Sequence, residues 1–175
     1  MAVFQPREIF RVLGAHGVKY VVIGNLGGTL YGSPLVTTDA DLCPSQDELN
    51  LVALAAALKE MSARIRTPDA PEGIPFACDA TFLRQMKMVN LTTRFGDVDL
   101  SFEPSGTGGY EVLSRRAVRI DLRDGLSTSV ASLEDIIRSK EAANREKDRL
   151  ALPTLRLLLQ KIREREGLPD GRAPR

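Results

Sequence analysis

Two spacings of apolar residues recur along the chain, one typical of helices and the other typical of strands. After Pro6, which suits a first helical turn, apolar residues at positions 9, 10, 12 and 13 predict an N-terminal helix. Short apolar runs and alternating segments predict strands at residues 18–23, 37–43, 89–95, 98–102, 117–122 and 127–130. Helical spacing and capping residues predict further helices at residues 26–31, 45–61, 80–86, 110–115 and 132–143. This order predicts an α+β fold, a small mixed or antiparallel sheet with flanking helices and C-terminal helices appended.

Three segments carry more specific expectations. Ser45 is expected to cap the long helix, with Glu48 at the capping-box position. The apolar residues expected to pack that helix against the sheet are Leu49, Val52, Leu54, Ala55, Leu58 and Met61. Residues 66–75 contain three prolines and a glycine and are interpreted as a loop. Pro153 is expected to begin the last helix.

Length and composition are typical of one globular domain, since the 175 residues are 43% apolar and 27% charged. We expect a single domain over residues 1–166, with a helical part at 131–166, followed by a flexible polar tail at 167–175. No signal-peptide pattern opens the chain, and no apolar run approaches the roughly 20 residues that cross a bilayer. These features favour a cytoplasmic protein that has no membrane partner.

The distribution of charge is more informative than the net charge of +1, which does not indicate a nucleic-acid binder. Basic residues form one cluster at 115–123 and another at 138–149. The first contains Arg115, Arg116, Arg119 and Arg123, and the second contains Arg138, Lys140, Arg145, Lys147 and Arg149. Nearby acids balance both clusters, so solvated helix faces and phosphate contacts both stay open. Cys43 and Cys78 are isolated, which argues against a disulfide framework or a zinc site.

The acidic pair Asp39 and Asp41 is the strongest chemical signal in the sequence. Side chains at i and i+2 on a strand point to the same face, so two like charges are held close together. A divalent cation commonly relieves such a pair, and carboxylate oxygens suit Mg²⁺ or Mn²⁺. Asp-x-Asp alone is weak evidence, because acidic pairs also occur in turns and at solvated strand ends.

A third carboxylate is expected from the segment 96–102. Asp97 follows Gly96 and is interpreted as a turn residue, whereas Asp99 lies between two apolar residues inside a predicted strand. We therefore choose Asp99 as the third acid. A glycine-rich turn at Gly24-Asn25, between a strand and a short helix, could hold phosphate oxygens with its backbone N–H groups.

These motifs, taken in order, resemble the DNA-polymerase-beta-like nucleotidyltransferase superfamily. The matching segments are residues 23–28 (IGNLGG), 32–34 (GSP) and 38–42 (TDADL), with Asp99 on a later strand. Residues 132–148 are similar to the toxin branch of that superfamily, the abortive-infection (AbiEii-like) and MenT-type nucleotidyltransferases. The resemblance covers about residues 18–155. Asn25 departs from it, because the superfamily usually has Gly or Ser there.

The resemblance implies a metal-dependent transfer of a nucleoside monophosphate from a nucleoside triphosphate. Asp39 and Asp41 would hold the nucleotide metal, Mg²⁺ or Mn²⁺, and Asp99 would help to hold a second one. Lys140 would be the fourth catalytic residue, neutralising charge on the triphosphate. The remaining nucleotide-binding set would be Gly24, Asn25, Thr38, Arg145 and Asp148. Asp148 is expected to orient Lys140 or Arg145 rather than to bind metal.

The toxin resemblance further implies tRNA as the acceptor and a cognate antitoxin protein as a partner. A hydroxyl of a protein or of a small molecule such as an aminoglycoside stays open as an alternative acceptor. A non-catalytic protein that binds nucleotide or a partner chain is the alternative from a different class, because Asn25 could mark a degraded phosphate turn.

Overall fold

A computed structural model of the chain describes residues 3–167, which form seven helices and eight strands. The helices are α1 (Pro6–Ala15), α2 (Gly24–Leu30), α3 (Glu48–Glu60), α4 (Ala80–Gln85), α5 (Tyr110–Arg116), α6 (Leu133–Ala143) and α7 (Glu146–Glu166). The strands are β1 (Tyr20–Val22), β2 (Asp39–Pro44), β3 (Arg64–Thr67), β4 (Ala70–Ile74), β5 (Met88–Thr93), β6 (Gly96–Ser101), β7 (Val118–Asp121) and β8 (Ser127–Val130). The tail expected at 167–175 lies, apart from Gly167, outside the described residues.

All eight strands form one mixed sheet in the order β4-β3-β5-β6-β2-β1-β8-β7. Two pairs of neighbours are parallel, β2 with β6 and β1 with β8, and the other neighbouring pairs are antiparallel. The α+β class and the mixed sheet with flanking helices are therefore confirmed. The sheet is larger than the small one expected, partly because residues 64–74 add a hairpin to it.

The interpretation of residues 66–75 as a loop is wrong, since they contain most of the β3–β4 hairpin. Strand β4 is at the edge of the sheet and pairs with β3. Pro71, which lacks an N–H, is tolerated there because an edge strand has one side that needs no partner. Asp97 is likewise a strand residue rather than a turn residue, since it pairs with Asp39 on β2 and with Thr92 on β5.

The core consists of apolar side chains from both strands and helices. Over residues 39–42 of β2 and throughout β6 the buried positions alternate with half-buried ones, so Ala40 and Leu42 face the core together with Val98 and Leu100. The helices contribute Phe10 from α1 and the buried leucines of α3 and α7 to the same cluster. The alternation turns every second side chain of β2 and β6 to the opposite face, where the acidic residues lie.

Helix α3 differs in two details from its sequence pattern. Asp47, not Ser45, caps the helix, because its side chain accepts a hydrogen bond from the backbone N–H of Asn50 at 3.0 Å. Leu49 and Val52 are 80% and 53% exposed, so they do not face the sheet. Because α3 is apolar on more than one side, its sequence does not define a single buried face. Tertiary packing buries the face that contains Leu51, Leu54 and Leu58.

Helix α7 begins at Glu146 and runs through Pro153, so Pro153 does not start it. The first turn is fixed by Asp148, whose side chain accepts from the backbone N–H of Arg145 at 3.3 Å. A proline inside a helix costs about 3 kcal/mol. Burial of Leu152 and Leu155 on either side of Pro153 offsets that cost. No helix within residues 3–167 is both long and apolar enough to cross a membrane.

Candidate metal and nucleotide site

Three carboxylates converge where β2 lies beside β6. The two strands are parallel and in register, so that Asp39 is opposite Asp97 and Asp41 is opposite Asp99. Asp39, Asp41 and Asp99 each offer an oxygen, and these oxygens lie within 4.8 Å of one another. Hard oxygen donors at this spacing suit a divalent cation such as Mg²⁺ or Mn²⁺. The residues present therefore fit the metal that the sequence pattern implies.

The electrostatics of this cluster favour the arrival of positive charge. Burial raises the pKa of Asp41 to about 7, and the charges of Asp39 and Asp99 act in the same direction, against Lys147 and Lys140. Burial also raises the pKa of Asp99, although the charge of Arg66 opposes the shift. The carboxylates thus repel one another in a partly dry site, which a bound cation would relieve.

Gly24 lets the chain pass directly beside Asp41. It begins α2 at the end of β1 with φ of +64°, a conformation that L side chains rarely adopt. A Cβ at this position would overlap the Asp41 carboxylate. The backbone N–H of Ile23 also donates to the carbonyl oxygen of Asp41 at 2.9 Å, so strand and turn are fixed to each other.

The next residue, Asn25, lies on the first turn of α2 and faces the same cavity. Its Oδ1 atom is buried, and no hydrogen-bond donor within residues 3–167 reaches it. An unpartnered buried amide oxygen is costly unless another group pairs with it. Rotation of the amide would exchange Oδ1 and Nδ2, so that the same position could offer a donor.

A cavity of about 650 Å³ brings the predicted residues together. Its lining includes every site residue expected from the sequence, namely Gly24, Asn25, Thr38, Asp39, Asp41, Asp99, Lys140, Arg145 and Asp148. Lys147, from the second basic cluster, also lines it, whereas the first basic cluster at 115–123 contributes no lining residue. The volume is in the range of small-molecule sites in proteins.

A second group of charges, formed by Lys140, Arg145 and Asp148, connects α6 to α7. The Asp148 side chain is fully buried and accepts from Arg145 Nε at 2.6 Å and from Lys140 Nζ at 3.3 Å. Burial acts to raise the pKa of Asp148, but the hydrogen bond from Arg145 and the charge of Lys140 hold it below its ordinary value. Asp148 lies outside the carboxylate cluster, which agrees with a positioning role.

Arg66 is a residue of this site that the sequence pattern did not indicate. Its Nη2 donates to Asp99 Oδ1 at 2.7 Å, and its Nε lies 3.2 Å from Asp97 Oδ2. The loop interpretation of 66–75 removed Arg66 from the sheet. The signal that could have found it is the alternation in Arg64-Ile65-Arg66, since Ile65 packs against the core.

Comparison with known proteins supports the fold. No protein-family profile and no curated protein sequence matches this chain. The structure is similar to the crystal structure of a Thermotoga maritima protein that is provisionally assigned as a nucleotidyltransferase. The TM-score is 0.55 at 18% identity, over 91% of this chain and 97% of that one. The comparison therefore shows a shared fold.

Proposed function

We propose that this protein is a metal-dependent nucleotidyltransferase, which moves a nucleoside monophosphate from a nucleoside triphosphate to a hydroxyl acceptor. The observation that carries the proposal is the convergence of Asp39, Asp41 and Asp99, with oxygens within 4.8 Å of one another, at a cavity that also contains Lys140. The similarity of the fold to that of a provisionally assigned nucleotidyltransferase supports it.

Asp39, Asp41 and Asp99 would hold Mg²⁺ or Mn²⁺. Such an ion, when bound, polarises phosphoryl oxygens and stabilises the charge that develops during an in-line displacement. The protein contributes two rigid strands that fix the three carboxylates and Thr37, whose hydroxyl donates to Asp39 Oδ1 at 3.0 Å. This support would restrict the orientation of the ligands before the nucleotide arrives.

The cations of α6 and α7 would bind the triphosphate. Lys140 is 8% exposed and lines the cavity, so its ammonium group is available to a phosphate there but largely shielded from bulk water. Asp148 holds both Lys140 and Arg145, which fixes the direction of the two cations. A pre-positioned cation in a water-poor site stabilises the negative charge of a transferring phosphate better than a mobile one.

Gly24 and Asn25 would position the terminal phosphates. Both line the cavity at the start of α2, where backbone N–H groups lack helical partners. The unpaired amide of Asn25 would turn its Nδ2 toward a phosphate oxygen and so replace the hydroxyl or backbone contact expected of Ser or Gly. Thr38 is exposed at the same cavity and would contact the nucleotide.

We propose tRNA as the acceptor and a toxin role with a cognate antitoxin, supported by the resemblance of residues 132–148 to toxin-type nucleotidyltransferases. Lys147, an exposed basic residue that lines the cavity, suits contact with a nucleic-acid backbone. A protein or small-molecule hydroxyl is the acceptor to examine if tRNA is not labelled.

The test is transfer of label from each α-³²P nucleoside triphosphate to total tRNA, with Mg²⁺ or Mn²⁺. We expect the wild type and Asp121→Ala to label tRNA and Asp41→Ala to fail. Asp121 is an exposed acid on the edge strand β7 and serves as the matched control. Equal labelling by folded Asp41→Ala would contradict the metal assignment. Absence of labelling on tRNA, protein and small-molecule hydroxyls alike would contradict the proposed enzyme class.

A further inference from the structure

Arg66 reaches the acidic cluster from the far side of a neighbouring strand. It lies on β3, and β5 separates β3 from β6 in the sheet. The guanidinium group crosses β5 and contacts Asp97 and Asp99, which are two residues apart on the same face of β6. The three side chains are only 29%, 24% and 21% exposed, so the contact is substantially shielded from water.

The contacts divide the acidic residues into two kinds. Asp97 and Asp99 already have a cationic partner in Arg66. Asp39 and Asp41 have no ion-pair partner within residues 3–167, and the nearby Lys140 is paired with Asp148. Of the three clustered carboxylates, Asp99 is the one with an ion-pair partner within residues 3–167. The single charge of Arg66 offsets one of the two charges of Asp97 and Asp99, and Asp39 and Asp41 lack a direct counter-ion.

The geometry of the guanidinium explains why an arginine can fill this role. Its planar fork has several N–H donors and can contact two carboxylates at once, which a lysine ammonium on a flexible stem does less well. Nη2 donates a hydrogen bond to Asp99 Oδ1, whereas Nε lies 3.2 Å from Asp97 Oδ2 as an ion pair without hydrogen-bond geometry. A second divalent ion on Asp99 would place its charge beside this fixed positive charge, which is unfavourable at short range.

We propose that Arg66 takes the place of a second metal ion, so that the site holds one divalent cation rather than two. Asp39 and Asp41 bind that ion, and Asp99 shares its carboxylate between the ion and Arg66. The inference rests on the proposed function. It differs from the expectation, taken from the family resemblance, that the site holds two ions.

The test is a titration with Mn²⁺, carried out without nucleotide and again with a non-hydrolysable nucleoside triphosphate, followed by electron paramagnetic resonance. Two Mn²⁺ ions in a two-metal site lie about 3.5–4 Å apart and give a spin-coupled spectrum, whereas a single ion does not. We expect one uncoupled ion per wild-type chain. Arg66→Met, which removes the charge, is expected to bind two coupled ions and to bind the first about tenfold or more tightly.

Two further variants separate charge from structure. Arg66→Lys keeps a positive charge and is expected to retain one uncoupled ion. Arg64→Met makes the same substitution two residues away on β3, where the arginine Nε donates to the carbonyl oxygen of Gly73, and is expected to behave as the wild type. Thermal unfolding of each variant verifies that it is folded.

A coupled pair of ions in the wild type would overturn the proposal, and this result does not depend on any variant folding. A single uncoupled ion in folded Arg66→Met would overturn it as well. If the wild type binds no Mn²⁺ but labels an acceptor in the transfer assay, the inference fails while nucleotidyl transfer stands. If it binds one ion and labels no acceptor, the proposed function fails and the role of Arg66 stands.

Discussion

Two clusters of charged residues line the cavity, and their buried carboxyl groups have pKa values shifted in opposite directions. In the strand cluster, Asp39, Asp41 and Asp99 face one another, and burial and mutual repulsion raise the pKa of Asp41 to about 7. In the helix cluster, Asp148 is fully buried, yet Arg145 and Lys140 hold its pKa below the ordinary value. Burial alone does not decide the ionisation of a carboxyl group, because the charge of its neighbours does.

The strand cluster therefore needs a bound cation, whereas the helix cluster holds its own cations in place beside it. The helix cluster is complete without any bound group, so its loss should cost stability. The carboxylates of the strand cluster repel one another until a cation binds. Loss of one of them should therefore lower activity and leave the unfolding free energy unchanged or higher.

The largest effect is expected from Asp41→Asn, which removes one carboxylate without changing its shape. Nucleotidyl transfer should fall by about 10³-fold or more, because a ligand of the metal and its charge are lost. The midpoint of thermal unfolding of the metal-free protein near neutral pH should stay the same or rise, since a repelled charge is removed. A marked loss of stability in this variant would contradict the contrast between the clusters.

Asp148→Asn should have the opposite signature. Lys140 would keep its charge at 8% exposure without a carboxylate partner, and breaking such a buried pair costs roughly 3 kcal/mol of unfolding free energy. Chemical denaturation measures the loss. Glu141→Gln is the matched control, because Glu141 also pairs across α6 and α7, with Arg156, but both side chains are about half exposed. That exposed pair should contribute less than about 1 kcal/mol.

A smaller effect is expected from Gly24→Ala. The added Cβ would overlap the Asp41 carboxylate, and alanine is strained at φ of +64°. Unfolding free energy should fall by roughly 1–3 kcal/mol, and displacement of Asp41 should weaken Mn²⁺ binding by about tenfold. Gly14→Ala is the control, because it lies inside α1 with no atom near its added Cβ. It should raise stability by up to about 1 kcal/mol. Unchanged Mn²⁺ affinity in Gly24→Ala would contradict the inference that the turn at Gly24 positions the Asp41 carboxylate.

The sequence predicted the parts of the site that depend on local spacing. Asp39 and Asp41 share a face because strand side chains alternate, and this holds wherever the strand lies. Asp99 stood out because an acid between two apolar strand residues needs a reason. The parallel pairing of β2 with β6 then brings Asp99 opposite Asp41, although 57 intervening positions separate the two in sequence.

The parts that the sequence did not predict depend on long-range contacts. Arg66 contacts the acidic residues because β3 lies two strands from β6 in the sheet. The prolines of residues 66–75 indicated a loop, so the sequence pattern did not predict β3. Pro153 indicated a helix start, but the charge cluster around Asp148 begins the helix earlier. In each case tertiary contacts outweighed a local preference.

The pH dependence of stability, measured by thermal unfolding with and without Mg²⁺, tests the cation site without relying on an assay of transfer. Because its folded-state pKa is raised, Asp41 in the folded chain keeps a proton that the unfolded chain loses above about pH 4. Metal-free stability should therefore fall as the pH rises from about 5 to about 7.5. The lowered pKa of Asp148 acts only at more acidic pH, so it does not contribute to this window.

Mg²⁺ should restore the stability lost at about pH 7.5 and have little effect at about pH 5, where a protonated Asp41 competes with the metal. In Asp41→Asn, stability should depend less on pH, and the effect of Mg²⁺ on stability should be smaller. If stability is the same at both pH values and Mg²⁺ changes neither, the three carboxylates are not a cation site.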